Sequence, residues 1–169
     1  RPQLAAAQSD WEESFTASKP IDWTITDGSI AHYSLDRPTA GGDGESAEEI
    51  SFRDGEPAYV PGRLNQGPDF GGKRFIVAGD VADFGYFDKF SLGAWIHPSG
   101  NLGGTVISRM TDAAQADGYC VQIRDGRIQV NLVKRWLDDA VRVETERSIG
   151  PDRWYHLMVT YDGSRQAKG

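Results

Sequence analysis

The stretch FSLGAWIHP, from Phe90 to Pro98, decides the fold class. Every second residue is apolar from Phe90 to Ile96, and the residues between them would face the opposite way. This period of two is typical of a β-strand with one face on a core. Pro98 cannot donate a ladder hydrogen bond and so ends the strand. The same alternation recurs in RWYHLMVTYDG at 153–163, so we expect a protein built from sheets.

The bulk composition limits the classes of partner. The chain has 169 residues, which is enough for one domain with a sizeable core. Its net charge is −7, which argues against a nucleic-acid partner, because such partners require a basic surface. No apolar stretch approaches the roughly 18 residues of a membrane-spanning helix, so we expect no membrane span. The single cysteine, Cys120, excludes an intrachain disulfide.

A β-hairpin is predicted around Asp125-Gly126, a pair that favours a two-residue type I′ turn. The turn sets the register of the flanking strands, 119–124 and 127–133. One face would pair Ile123 with Ile128, Val121 with Val130 and Tyr119 with Leu132. The opposite face would pair Gln122 with Gln129 and Cys120 with Asn131. One apolar and one amide-rich face predict a sheet that is covered on one side only.

The rest of the chain predicts further short strands and loops. Further strands are expected at 23–26, 30–35, 50–52, 58–60, 74–78, 105–110 and 141–145. Residues 62–72 are rich in turn residues, and 37–49 and 79–88 read as loops. A short helix is expected at 2–15, where apolar residues recur at three- and four-residue spacing. Many short antiparallel strands indicate an all-β sandwich or jelly roll.

Five stretches together resemble successive strands of a known family. They are AHYSLD at 31–36, GRLNQGPDFGG at 62–72, FSLGAWIHP at 90–98, GYCVQIRDGRIQVNL at 118–132 and RWYHLMVTYDG at 153–163. In this order they resemble a laminin G-like domain of the concanavalin A-like lectin/glucanase type. The resemblance implies an antiparallel two-sheet jelly-roll sandwich at 28–169, preceded by a helical or linker segment at 1–27.

The resemblance also carries expectations about the parent protein. The segment LAAAQSDWEESF at 4–15 is similar to what precedes such domains in large planctomycete-type secreted proteins with cytochrome c-like domains. This implies an extracellular or periplasmic location and neighbouring domains in the parent chain. No C-x-x-C-H motif is present, so we expect no haem in this chain.

The family pattern continues past the strand at 153–162, whereas this chain ends at Gly169. The expectation is that this strand lacks a neighbour or borrows one from a second copy. Borrowing would produce a strand-exchanged homodimer.

Catalytic residues are sought as paired carboxylates, because hydrolases of this jelly roll use an E-x-D-x-E-like run on one strand. The nearest match is Glu144-Thr145-Glu146, which lacks the intervening acid. We expect a solvated strand face there and no enzymatic activity. The alternative, a glycoside hydrolase or lyase remnant, would require an exposed cleft with two carboxylates about 5 Å apart.

Calcium is the cofactor that the resemblance implies, through loop acids and backbone oxygens. The candidates are Asp80, Asp83 and Asp88, in the loop at 79–88. Calcium takes six to eight oxygen ligands from a shaped loop, and no D-x-D-x-D-G order is present. A merely solvated loop therefore stays the alternative.

The expected function is a non-catalytic binding or adhesion module of a larger secreted protein, with carbohydrate as the favoured ligand. Amides donate and accept hydrogen bonds, which suits sugar hydroxyls. The candidate ligand-binding residues are Gln122, Gln129, Asn131, Arg135 and Trp136. Trp95 and Trp154 lie mid-strand and are assigned to packing. Two alternatives stay open: a solvated amide face, and a structural spacer that packs on a redox domain through a large apolar patch.

Overall fold

The computed structural model describes residues 27–36, 50–100, 102–110, 117–135 and 139–166. These residues form antiparallel strands and no helix, which confirms the all-β prediction. The expected helix at 2–15, the strand at 23–26, the loop at 37–49 and Trp136 lie outside the described residues. The strands are β1 (Ser51–Arg53), β2 (Ala58–Pro61), β3 (Gln66–Asp69), β4 (Phe75–Val77), β5 (Phe90–Ile96), β6 (Gly104–Met110), β7 (Gly118–Arg124), β8 (Arg127–Arg135), β9 (Asp139–Glu144) and β10 (Tyr155–Tyr161).

Two sheets enclose the core, as in a concanavalin A-like sandwich. One sheet has four strands in the order β6-β7-β8-β9, and the other pairs β10 with β5. The buried apolar residues of the two sheets form one cluster, in which Val121 is completely buried. Its members are Phe90, Tyr119, Val121, Ile128, Val130, Leu132, Val141 and Tyr161. Two smaller pairs, β1 with β4 and β2 with β3, complete the described part.

The β7–β8 hairpin has the predicted turn and register. Asp125 and Gly126 both have positive φ angles, 51° and 77°, as a type I′ turn requires. Every predicted cross-strand pair is present, from Arg124 opposite Arg127 to Tyr119 opposite Leu132. The apolar partners of these pairs face the core, so the turn residues alone were sufficient to orient the central hairpin.

The β5–β10 pair also follows the predicted alternation. The residues of β5 that face the core begin with the buried Phe90, and those of β10 end with the buried Tyr161. Within both strands, the residues that alternate with these core-facing ones are exposed. Within the described residues β10 is hydrogen-bonded to β5 alone. Strand exchange with a second copy therefore stays a prediction.

Aromatic contacts fasten the loop at 79–89 to the edge of the core. Phe84 stacks on Phe90 with ring centroids 4.6 Å apart and planes 4° from parallel. The Tyr119 hydroxyl donates to the Ala82 carbonyl at 2.9 Å, and burial raises the pKa of this hydroxyl. Since phenols donate only while protonated, this raised pKa preserves the contact.

One strand prediction is wrong. Residues 30–35 form no strand in the structure, and Leu35 has a φ of 53°, which breaks an extended backbone. The turn-rich stretch 62–72, one of the five that resemble strands of the family, does contain a strand, β3, although its sequence QGPD has low strand propensity. Pairing with β2 accounts for β3, because a paired neighbour outweighs intrinsic propensity in sheets.

Candidate functional site

Two of the three predicted ligand-binding amides on the four-stranded sheet are buried. The pairing of Gln122 with Gln129 is confirmed, but Gln129 is only 4% exposed and Asn131 only 1%. The burial of Gln129 and Asn131 does not favour a ligand at these two amides, and their role in binding stays a prediction. The physical reason for this burial lies in β8, a central strand whose polar side chains are hydrogen-bonded to those of its neighbours.

These contacts form a continuous row, which we call the amide ladder: Gln122, Gln129, Asn131, Arg142 and Glu144. Gln122 Nε2 donates to Gln129 Oε1 at 2.7 Å, and Gln129 Nε2 donates to Glu144 Oε2 at 3.1 Å. Asn131 Nδ2 donates to Gln129 Oε1 at 3.4 Å, and Arg142 Nε donates to Asn131 Oδ1 at 2.8 Å. No buried side-chain nitrogen or oxygen in the described part lacks a partner. The ladder thus satisfies itself without a ligand.

Glu144, the first carboxylate of the candidate catalytic pair, is held as an ion-pair partner. Arg127 NH1 lies 2.9 Å from Glu144 Oε1. The hydrogen bonds from Arg127 and Gln129 lower the pKa of Glu144. A glycosidase acid needs the opposite shift, since it must carry a proton at working pH. Glu144 is thus poorly suited to be that acid.

The other predicted ligand residues are not gathered with the amides. Arg135 is exposed at the end of β8, opposite Asp139 and beyond a register shift in the β8–β9 ladder. Trp136, the expected aromatic platform, lies outside the described residues. The structure therefore brings together the three amides but does not show a complete site around them.

The candidate calcium ligands have protein partners. Arg109 NH2 lies 2.8 Å from Asp80 Oδ1 and 2.9 Å from Asp83 Oδ1. These carboxylates, Asp83 first, raise the pKa of the Arg109 guanidinium. Asp88 Oδ2 instead accepts the Gly85 backbone N–H at 2.7 Å. Among the described residues, no group of three or more His, Cys, Asp or Glu side chains is placed to hold a metal ion. Calcium binding stays a prediction.

The outward face of β5 and β10 carries the site that sequence reasoning missed. We call it the Trp95 face, and its residues are Ser91, Gly93, Trp95, His97, Trp154, His156, Met158 and Thr160. Trp95 is 49% exposed and Met158 is 57% exposed. Assigning Trp95 to core packing was therefore wrong. The signal was present in the alternation, which left Trp95 opposite to the apolar residues of its own strand.

Two cross-strand pairs of aromatic rings lie on the Trp95 face. The rings of Trp95 and His156 have centroids 4.8 Å apart, and those of His97 and Trp154 are 5.1 Å apart. Next to these pairs Met158 lies opposite Gly93, and its sulfur is 3.6 Å from the place that a Cβ atom of Gly93 would take. The face thus presents aromatic rings beside the exposed side chain of Met158.

A third element reaches this face. Arg63, in the loop between β2 and β3, places its guanidinium carbon 5.2 Å from the centroid of the Trp95 ring. Such an arrangement is a cation–π contact. The loop is closed by a hydrogen bond from the Gly62 N–H to the Asn65 carbonyl, at 2.9 Å.

Two open depressions elsewhere lack aromatic side chains. One of about 350 Å³ is lined by Arg124, Asp125, Arg127, Gln129, Glu144 and Ser148. The other, of about 500 Å³, is lined by Asp54, Gly71, Lys73 and Arg74. Neither combines the ring surface and polar groups of the Trp95 face. In the described part of the chain, no helix is long and apolar enough to cross a membrane.

Comparison with known proteins adds one match. A laminin G family model, described as concanavalin A-like lectin/glucanases superfamily, matches residues 70–168. That span includes β4 to β10, and hence both sheets of the sandwich, the amide ladder and every residue of the Trp95 face. No curated protein and no solved structure matches the chain.

Proposed function

This chain belongs to the concanavalin A-like lectin/glucanase superfamily, and on that premise we propose that it is a non-catalytic carbohydrate-binding module of a larger secreted protein. Membership supports a module of the carbohydrate-binding or adhesion type. The proposal adds a place for the ligand, which is the Trp95 face.

The half-exposed Trp95 is the observation that carries the proposal. An indole left open on a sheet face offers a flat apolar surface, and its partner His156 keeps polar ring atoms beside it. Pyranose rings combine an apolar face with hydroxyls around the edge, so they suit such a surface. The hydroxyls of Ser91 and Thr160, opposite each other on the same face, can both donate and accept hydrogen bonds.

The distribution of acids supports binding without hydrolysis. Glycoside hydrolysis commonly requires two carboxylates that flank the scissile bond. The Trp95 face has no Asp or Glu at any of its positions. Glu144, on the other sheet, is paired with Arg127 and has a lowered pKa. A sugar held on the Trp95 face would therefore meet no acid–base pair of that face.

The test compares Trp95→Ala with Trp136→Ala, which removes the platform expected from the sequence. Both variants and the parent are titrated calorimetrically against a panel of neutral and acidic oligosaccharides, after circular dichroism has established that they fold. We expect Trp95→Ala to weaken binding by about 10- to 100-fold, as for a central aromatic anchor, and Trp136→Ala to bind like the parent.

The outcomes separate the competing interpretations. Loss of binding in Trp136→Ala alone would indicate that the ligand binds on the side of the sandwich that carries the amide ladder. Absence of binding to every oligosaccharide would refute the proposal as a whole. A reducing-sugar assay on the same samples checks turnover, and product release that disappears in Glu144→Gln would establish an enzyme instead.

A further inference from the structure

We infer that the Trp95 face selects glycans that carry carboxylate or sulfate groups, with Arg63 as the residue that recognises the charge. This inference rests on the proposed function and adds the ligand class. It starts from the way in which Arg63 meets the Trp95 ring.

Arg63 has a positive charge without a carboxylate partner in the described part of the chain. Arg109 is paired with Asp80 and Asp83, and Arg127 with Glu144, whereas the guanidinium of Arg63 lies over the Trp95 ring and forms no ion pair with a described residue. Its side chain is also exposed. A guanidinium that rests on an aromatic ring still has N–H groups around its edge, and these match the two oxygens of a carboxylate or sulfate.

The surroundings of Arg63 favour an anion from outside the chain. The protein has 25 acidic residues and a net charge of −7, yet none of the positions on the Trp95 face is acidic. The polar rings on this face are imidazoles: His156 lies against Trp95, and His97 lies against Trp154. The attraction of this face for an anion is local, because the net charge of the protein is negative: it rests on the Arg63 guanidinium and on the absence of acids from the positions of the Trp95 face, the nearby Asp36 being held by Asn65 of the same loop.

The loop that carries Arg63 is built to hold a defined position. A Cβ atom at Gly62 would lie 2.7 Å from the carbonyl of Gln66, so this close approach requires glycine. Asn65 Nδ2 donates to Asp36 Oδ2 at 3.1 Å, which ties the loop tip to a preceding segment. A cation that is already positioned over the ring loses less conformational freedom when the ligand binds.

The test uses Arg63→Gln, with Arg53→Gln as the matched control. The control removes the same charge from β1, outside the Trp95 face. The carboxylate probes are oligogalacturonate, oligomannuronate and oligoglucuronate. The methyl ester of oligogalacturonate is the neutral probe. An oligosaccharide of carrageenan supplies the sulfate. Calorimetric titrations are run at low and at physiological salt.

We expect the parent to bind at least one charged probe more tightly than the neutral ester, by about 10- to 100-fold, the effect of a charge-assisted hydrogen bond. Arg63→Gln should abolish that preference and Arg53→Gln should retain it. A preference for the uronates or for carrageenan shows whether the face recognises carboxylate or sulfate. Added salt should weaken only the charged probes.

Two results would overturn the inference in distinguishable ways. Binding of neutral oligosaccharides that depends on Trp95 but is unaffected in Arg63→Gln would leave the proposed function standing and refute the acidic ligand class. Charged probes that bind the parent and Arg63→Gln equally would do the same. If no probe of either kind binds, the inference fails together with the proposed function.

Discussion

Replacing Gln129 with methionine tests whether the amide ladder stabilises the four-stranded sheet. Methionine has nearly the length and shape of glutamine but lacks both polar atoms of its amide group, Oε1 and Nε2. The substitution deletes contacts of Gln129 with Gln122, Glu144 and Asn131, at 2.7, 3.1 and 3.4 Å. Each partner then needs another partner or water, and the three differ in their access to water.

The magnitude follows from that access. Asn131 is 1% exposed; its Oδ1 keeps the hydrogen bond from Arg142, but its Nδ2 donor keeps only Cys120 Sγ, a weak acceptor, at 3.5 Å. Leaving such a buried donor poorly satisfied costs about 1–3 kcal/mol. The half-buried Gln122 loses a hydrogen bond worth about 0.5–1.5 kcal/mol. Glu144 is accessible to water, which replaces the lost amide. We expect the free energy of unfolding to fall by about 2–3 kcal/mol in total.

The assay is urea unfolding at neutral pH, followed by tryptophan fluorescence, with thermal unfolding as a second measurement. A loss of this size corresponds to a decrease in Tm of about 4–12 °C for a chain of this length. Gln122→Met is the control, because it removes one hydrogen bond at a position that water reaches, and should cost about 1 kcal/mol or less. If Gln129→Met were as stable as the parent, the amides would be solvated and free for a ligand, as the sequence alone suggests.

Two further predictions concern charged contacts. Because Arg127 lowers the pKa of Glu144, this pair stabilises the fold above the unfolded pKa of about 4.3. The contribution is lost as pH falls through the lowered value, so Tm should drop less in Arg127→Gln than in the parent between pH 5 and pH 3; parallel curves would contradict this assignment. Arg109→Gln leaves Asp80 and Asp83 without their cation, so millimolar calcium should raise its Tm more than that of the parent. Identical melting in calcium and in chelator for both proteins would remove the calcium prediction.

The central part of the fold could be predicted because its signals are local. Alternation is a property of one strand, and it correctly oriented β5 and β10. The two-residue turn Asp125-Gly126 set every pair of the β7–β8 hairpin without any knowledge of the rest of the chain. Such signals act within a dozen residues and need no tertiary context.

The parts that were missed depend on neighbours that the sequence does not reveal. Burial of the amides depends on β9, which brings Arg142 and Glu144 against Asn131 and Gln129. The contact of Arg63 with Trp95 joins the loop between β2 and β3 to β5, and the spacing of the two residues in the sequence does not predict it. Local patterns therefore predicted which residues share a face but not what lies against that face.

The hydrogen-bond balance of the two polar faces decides which of them can recognise a ligand. A sugar that used the amide ladder would have to break bonds that Gln129 and Asn131 already make, so it would gain only the difference between old and new bonds. On the Trp95 face no such exchange is needed among the described residues, because Trp95 is already half exposed and Arg63 forms no ion pair with any of them. The ligand there loses its own hydration but displaces no protein hydrogen bond of these two residues. Polar groups that satisfy one another stabilise the sheet, and the groups left without protein partners are those from which specificity can be built.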